Sequence, residues 1–355
     1  MTSRTQFVFL YLVCLALTFQ LYIHISNRHY SNRIWSSNSQ TYPGFTGFQQ
    51  TRISNRAGRL LFKDTYILTD FENFYHVSDD KLQDVLLNKH QFKMIISNEQ
   101  QCDQDVYLLV FIHSAMKKSK ERNIFRSTFL SVKTSNEKLI RHLFVLGTIN
   151  NETLQEELLQ ENTRYHDIIQ GNFPDDYKHI TYKCVFPFYY TEKFCRHARF
   201  VLTIDDDVMA NIPILIEYLD IIDQKNVSNF LDCRYFLSDG PEREIRNKYH
   251  VPVSEYPYEH YPPFCGGSAE IMTTDVMLKR LDASKKVPFF RIGDVYVGFL
   301  TWVAGIEMNR PDRFIEFLYD NLTTKPLPSA LFYTNENNDV PTYYWENIWN
   351  AIWPN

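Results

Sequence analysis

The sequence predicts an α/β protein built on a mostly parallel sheet with helices on both faces. Three observations carry that expectation. Short runs of Val, Ile, Leu and Phe alternate with helical patterns at the spacing of βαβ units. Apolar residues make up 44% of the 355-residue chain, enough to bury a large core. One apolar run, Arg199 to Ile204, ends in three consecutive aspartates, Asp205, Asp206 and Asp207, and the carboxyl ends of parallel strands are where such sheets meet their ligands.

Taken in chain order, the first feature is an apolar stretch outside the globular body. Residues 7–25 (FVFLYLVCLALTFQLYIHI) hold no formally charged side chain and, at about 1.5 Å rise per residue, are long enough to cross a bilayer. They read as an uncleaved signal anchor behind a cytoplasmic tail, residues 1–6. A cleaved signal peptide is the competing reading, but no small-x-small site follows. Arg4 and the amino terminus oppose Arg28 and Arg33, so the positive-inside rule is nearly balanced. Residues 26–60 are rich in Ser, Asn, Gln, Thr, Arg and Gly, lack apolar periodicity and read as a flexible stem. Residues 61–355 are then the body.

Asn-x-Ser/Thr acceptors at Asn151, Asn226 and Asn321 lean toward a lumenal body. With Cys14 in the span, Cys102, Cys184, Cys195, Cys233 and Cys265 remain for an oxidising compartment. That number is odd, so at least one stays unpaired or pairs between chains; spacing does not reveal the connectivity. No CxxC or Cys/His cluster suggests zinc. A net charge of -5 gives no cationic field and excludes nucleic acid as the main partner.

Within the body, Val106 to His113 reads as a buried strand, Lys120 to Val132 as a helix and Leu143 to Gly147 as a second strand. Residues 151–165 place Leu154, Leu158 and Leu159 at helical spacing, and Asp167 to Ile169 is a short strand. Residues 187–199 should be mostly helical and lead into the strand that carries the aspartates. Pro213 closes the next turn, and Ile214 to Ile222 supplies an apolar helix to cover the sheet. Loops rich in Pro and Tyr follow, then Gly266 and Gly267 and a helix over Thr274 to Leu281. Carboxylates packed as closely as Asp205 to Asp207 repel one another, so the triplet is stable mainly around a cation, and hard divalent ions favour such oxygens. The alternative is an acidic turn after a strand.

Several ordered blocks resemble the beta-1,3-glycosyltransferases of the galactosyltransferase and N-acetylglucosaminyltransferase group, glycosyltransferase family 31. Arg122 to Phe129 (RNIFRSTF) is similar to the R-x-x-x-R-x-T-W block, with Phe129 where Trp is usual. Tyr165, Asp167, Ile168, Ile169, Phe173, Asp175, Tyr177, Thr181 and Lys183 match a second stretch. Cys195 followed by FVLTIDDDVMAN resembles the family's cysteine, strand and metal motif. Lys248, Pro252, Tyr256, Pro257, Tyr261, Pro262, Pro263 and Gly267 follow its K-W-x-V and Y-P-P-Y-x-S-G-G series, and Asp294 to Gly298 match E-D-V-Y-V-G. The likeness runs from about residue 95 to the C-terminus.

The resemblance implies a GT-A type fold with a Rossmann-like nucleotide half. It implies an inverting transfer of galactose or an N-acetylhexosamine from a UDP-sugar to a hydroxyl of a glycan, glycoprotein or glycolipid in a beta-1,3 linkage. It further implies a Golgi enzyme, single-pass type II, with its catalytic domain lumenal. Asp205 and Asp207 would hold Mn²⁺ or Mg²⁺ against the donor diphosphate, Asp206 would reach the ribose or sugar hydroxyls, and Asp294 would be the base that takes the acceptor proton. Arg122 and Arg126, one helical turn apart, would share a face near the nucleotide; solvated or sheet-capping arginines are the alternative. Lys183 either touches donor phosphate or pairs with Asp175. Tyr261, Pro262 and Pro263 either shape an acceptor loop or simply pack.

Departures from the pattern sit in the acceptor-side and catalytic loops. Gly293 stands where Glu is usual, Gly266 stands near a usual Ser, and Glu270 replaces an aromatic or aliphatic residue. No histidine follows His260, although related enzymes often place one near the metal. These departures support a second reading, a catalytically inactive relative that binds sugar nucleotide or a glycoprotein and acts as partner or chaperone. A phosphohydrolase with Asp205 as nucleophile would place Thr or Val where Met209 stands, and is set aside.

Overall fold

The computed structural model describes residues 39–41, 49–53, 91–237, 239–311, 314–318, 329–335 and 342–353. The expected tail and anchor, nearly all of the stem, and Asn321 lie outside the described residues. Among the described residues no helix is long and apolar enough to cross a membrane. The chain divides into units Met1–Gln40 and Thr41–Asn355, and the fold below is that of the second.

Its central sheet contains β1 (Gln49–Ile53), β2 (Met94–Ile96), β3 (Leu108–His113), β4 (Lys138–Thr148), β5 (Ile168–Pro174), β6 (Phe200–Asp205), β8 (Leu231–Phe236), β9 (Phe264–Thr273) and β10 (Met308–Pro311). Their spatial order is β1-β10-β8-β9-β6-β3-β4-β5-β2. Strands β3, β4, β5, β6, β8 and β10 run the same way, while β9, β2 and β1 run against them. The expected mixed α/β architecture with a mostly parallel sheet is therefore present. The second half of the chain adds strands to the same sheet rather than building a separate fold.

The helices are α1 (Ser119–Ser127), α2 (Glu152–Tyr165), α3 (Ile180–Phe194), α4 (Ile212–Asp223), α5 (Thr274–Ala283), α6 (Gly293–Val303) and α7 (Thr342–Ile352). Central strands with helices on both sides must be apolar on both faces. In β3, Leu108, Val110 and Ile112 join one core with α1, α4 and α7, while Leu109 and Phe111 join another with α3, α5 and α6. Asn151 caps α2 by accepting from the Leu154 amide at 3.0 Å, and His166 ends it in the left-handed region at φ 52°.

Two helices differ from expectation. The helix expected over Lys120 to Val132 stops at Ser127, where the Thr128 hydroxyl bonds back to the Ile124 carbonyl at 2.7 Å, and a 3-10 turn follows. The helix expected over 187–199 instead spans Ile180–Phe194, with Pro187 inside it. Its residues are buried on nearly every side, so no amphipathic period marks its start and Pro187 reads misleadingly as an N-terminus. Among the described residues, disulfides join Cys102 to Cys195 and Cys233 to Cys265, and Cys184 is a free thiol.

Candidate active site

Strand β6 ends at Asp205, between antiparallel β9 and parallel β3. In the β3–β6 register Asp205 lies opposite His113, whose Nδ1 stands 3.2 Å from Asp205 Oδ1. The Asp205 side chain is 42% exposed, as a ligand-facing strand terminus requires. Asp206 turns the other way, and its Oδ1 receives the Lys118 ammonium at 2.6 Å. Burial nonetheless outweighs Lys118 and pushes the Asp206 carboxyl above its usual range. Asp207 is pushed up to about 6, first by burial and then by Asp205 and Asp206.

The turn is held from behind by the C-terminal segment. A short strand β7 (Val208–Ala210) pairs with β12 (Phe332–Asn335), which itself pairs with β11 (Ile315–Leu318). The Thr334 hydroxyl donates to the Asp207 carbonyl at 3.1 Å.

Asp294 arrives from a different element, the first turn of α6, where its Oδ1 accepts from the Val295 amide at 2.9 Å. It comes close to Asp205 beside Gly267: a Cβ placed on that glycine would lie 3.8 Å from Asp205 Oδ2 and 3.9 Å from Asp294 Cβ. Burial, with Asp205 and Glu270 adding to it, pushes Asp294 up to about 6. Both acids line one cavity of about 310 Å³, whose wall also includes His113, Cys184, Tyr177 and Tyr249. This places two carboxylates, the partly exposed Asp205 and the half-buried Asp294, on the wall of one cavity.

The three expected cationic residues lie elsewhere. Arg122 grips Glu161 with two bonds, Nε to Oε1 at 2.8 Å and Nη2 to Oε2 at 2.6 Å. Arg126 makes the corresponding pair with Asp167, at 2.8 Å for each bond. Burial alone would raise Asp167, but the bonds from His142 and Arg126 win and hold it at about 2. The two arginines do share a helix face, but Glu161 and Asp167 consume it, and neither residue lines the cavity. Lys183 pairs with Asp175 and donates to the Ser114 carbonyl at 2.6 Å. Arg122 Nη1 also donates to the Ala115 carbonyl at 2.6 Å. In the structure these side chains are engaged by protein groups: Arg122 and Lys183 fix the loop after β3, which carries Lys118 toward Asp206.

The galactosyltransferase family matches residues 120–312, more than half of the chain. The chain belongs to that family. This galactosyltransferase-family chain is 32% identical over 260 residues to the lactosylceramide 1,3-N-acetyl-beta-D-glucosaminyltransferase of Rattus norvegicus, covering 68% of this chain and 69% of the relative. It is 32% identical over 192 residues to beta-1,3-galactosyltransferase 5 of Pan paniscus, covering 54% of this chain and 63% of that protein, so it spans less than two thirds of that relative's length. Among solved structures, the WbbM bifunctional glycosyltransferase is a distant likeness, with TM-score 0.40 and 11% identity over 71% of this chain and 51% of that one. The family consists of glycosyltransferases, and this member is one.

Sequence reasoning missed His113, Lys118 and the buried Glu270–Arg280 pair. His113 closes an apolar run as an ordinary strand terminus does, and only the register reveals Asp205 beside it. Tyr261 is buried among Tyr256, Phe264, Phe290 and Phe299, so the packing alternative describes it. Among the described residues no group of three or more His, Cys, Asp or Glu is arranged to hold a metal ion.

Proposed function

We propose that this chain is an inverting glycosyltransferase that moves galactose or an N-acetylhexosamine from a UDP-sugar to a glycan hydroxyl in a beta-1,3 linkage. The observation that carries this reading is that Asp205 and Asp294, brought in by different elements, both border Gly267 in one cavity. Inversion needs the base and the leaving group on opposite faces of the anomeric carbon. Asp294 accepts the acceptor proton, and its raised affinity for protons at about 6 suits a base that works near neutrality.

The carboxylates of this turn are the candidates for a divalent cation: Asp207 is half-buried and raised first by burial and then by Asp205 and Asp206, and Asp205 is partly exposed toward the cavity. Asp205 and Asp207 would hold Mn²⁺ or Mg²⁺, which when bound supplies Lewis acidity to the donor diphosphate. Asp206 is already engaged by Lys118 and acts by orienting the turn. A GT-A type description and a Golgi, type II setting belong to the same proposal. Two disulfides and the exposed acceptors Asn151 and Asn226 support a lumenal body.

The competing reading, an inactive sugar-nucleotide or glycoprotein binder, draws on Gly293. The deciding experiment incubates the full chain with UDP-sugars, Mn²⁺ and a library of glycan acceptors. Transfer is expected; UDP-sugar binding with neither transfer nor UDP release would leave the inactive reading standing. A second arm titrates donor into Asp207→Ala, where Mn²⁺-dependent binding should be lost. Wild-type affinity there would remove Asp207 from the cation site.

A further inference from the structure

The cavity continues past the two acids. Residues two apart on a strand share a face, so β6 adds Thr203 beside Asp205 and β9 adds Glu270 beside Ser268, with Glu270 opposite Thr203 in register. Facing them, α5 contributes Arg280, stacked 5.8 Å from the Phe188 ring. Arg280 is 1% and Glu270 5% exposed. The guanidinium Nε donates to the Thr301 hydroxyl at 2.9 Å. Its Nη1 stands 2.7 Å from Glu270 Oε2 but without hydrogen-bond alignment, and its Nη2 has no hydrogen-bond partner among the described residues. A buried charge pair with spare capacity on both partners is costly unless something polar completes it. Glu270 and Arg280 both line the cavity of about 310 Å³, and Gly293 lets α6 pack closely on its wall, since a Cβ there would come within 2.8 Å of Cys184 Sγ.

We propose that Glu270 and Arg280 form the floor of the donor-sugar subsite and read a hydroxyl group of the hexose, Glu270 accepting its proton in a hydrogen bond and Arg280 Nη2 donating to its oxygen. This rests on the transferase reading. The donor sugar is assigned here because it is terminal and can be enclosed. An acceptor glycan continues past its reacting hydroxyl and must leave by the opening, where Tyr177 and Tyr249 are 44% and 45% exposed. The group read is neutral, because Asp205, Asp294 and Glu270 face the cavity against Arg280 and His113, leaving no positive excess for a uronate.

The test is a cycle between residue and substrate group: wild type and Glu270→Gln, each with UDP-hexoses and their single-position deoxy analogues, read as kcat/KM and as donor Kd. In the wild type one deoxy position should cost 10²-fold or more, since a site built around a hydroxyl rejects the analogue lacking it by orders of magnitude. In Glu270→Gln that penalty should fall to within a few-fold while the other positions keep theirs. Uniform loss across all donors, or no position coupled to residue 270, overturns the proposal. The double variant Glu270→Leu/Arg280→Met leaves no unpaired charge; it should fold and lose the same discrimination, and retention of discrimination there also overturns the proposal. Donor binding without turnover would sink the transferase reading while the Kd arm still decides the subsite.

Discussion

Asp294 is held between opposing influences. The N-terminal turn of α6 and the Val295 amide favour its ionised form, while burial and the nearby Asp205 and Glu270 carboxylates oppose it and prevail. Turnover should therefore rise with pH through about 6 and level off above it, as a pH–rate profile would show. Asp294→Asn should lower kcat by roughly 10²- to 10⁴-fold with donor affinity retained; undiminished turnover removes Asp294 from the mechanism. The aspartates themselves were legible in the sequence, because acids at the end of an apolar run have few structural reasons to be there. Glu270 was visible only as a departure, since its meaning depends on Arg280 from another helix.

At the scale of elements, α1 is fixed by charge as much as by apolar packing. Arg122 and Arg126 reach acids 39 and 41 residues downstream, a separation that no local pattern encodes, and so their partners were not legible. Arg122→Ala removes the two bonds to Glu161, which keeps Arg126 Nη1 at 2.7 Å as its remaining partner, and should destabilise the fold by about 1–3 kcal/mol in urea unfolding. Strands β3 and β6 were legible because sheets covered on both sides demand unbroken apolar runs. Helix α3 was not, for the same reason: a helix buried all round shows no polar face. The loop between β8 and β9 is pinned by Arg243, which donates to the Val251, Tyr256 and Tyr258 carbonyls at 2.7, 2.9 and 2.8 Å. It presents Tyr249 to Tyr177, with ring centroids 5.8 Å apart, at the cavity rim. If this rim receives the acceptor's pyranose face, Tyr249→Ala should raise acceptor KM about 3- to 10-fold, the worth of one aromatic contact, with donor KM unchanged. An equal rise in both constants would place Tyr249 in the scaffold instead.

For the whole molecule, the framework and the site respond to pH in opposite directions. Asp167, held at about 2 against a usual 3.8, contributes stability that is complete above pH 4 and is lost as pH falls toward 2. Asp294, raised to about 6, binds its proton more tightly folded than unfolded. Its contribution is complete below pH 4 and is lost as pH rises from 4 to 6, leaving a penalty of roughly 3 kcal/mol at most at neutrality. The fold carries that cost through the Arg122–Glu161 and Arg126–Asp167 pairs and through two disulfides, whose loop closures contribute about 3.5–5 kcal/mol each in a chain-entropy account. A neutral residue at 294 removes the penalty together with the base. Asp294→Asn should thus unfold at higher urea than the wild type at pH 7, with the difference vanishing at pH 4, even though its turnover is lost. A variant no more stable at pH 7, or equally stabilised at pH 4, would show that Asp294 is ionised in the fold without cost, and that the strain of this site resides elsewhere.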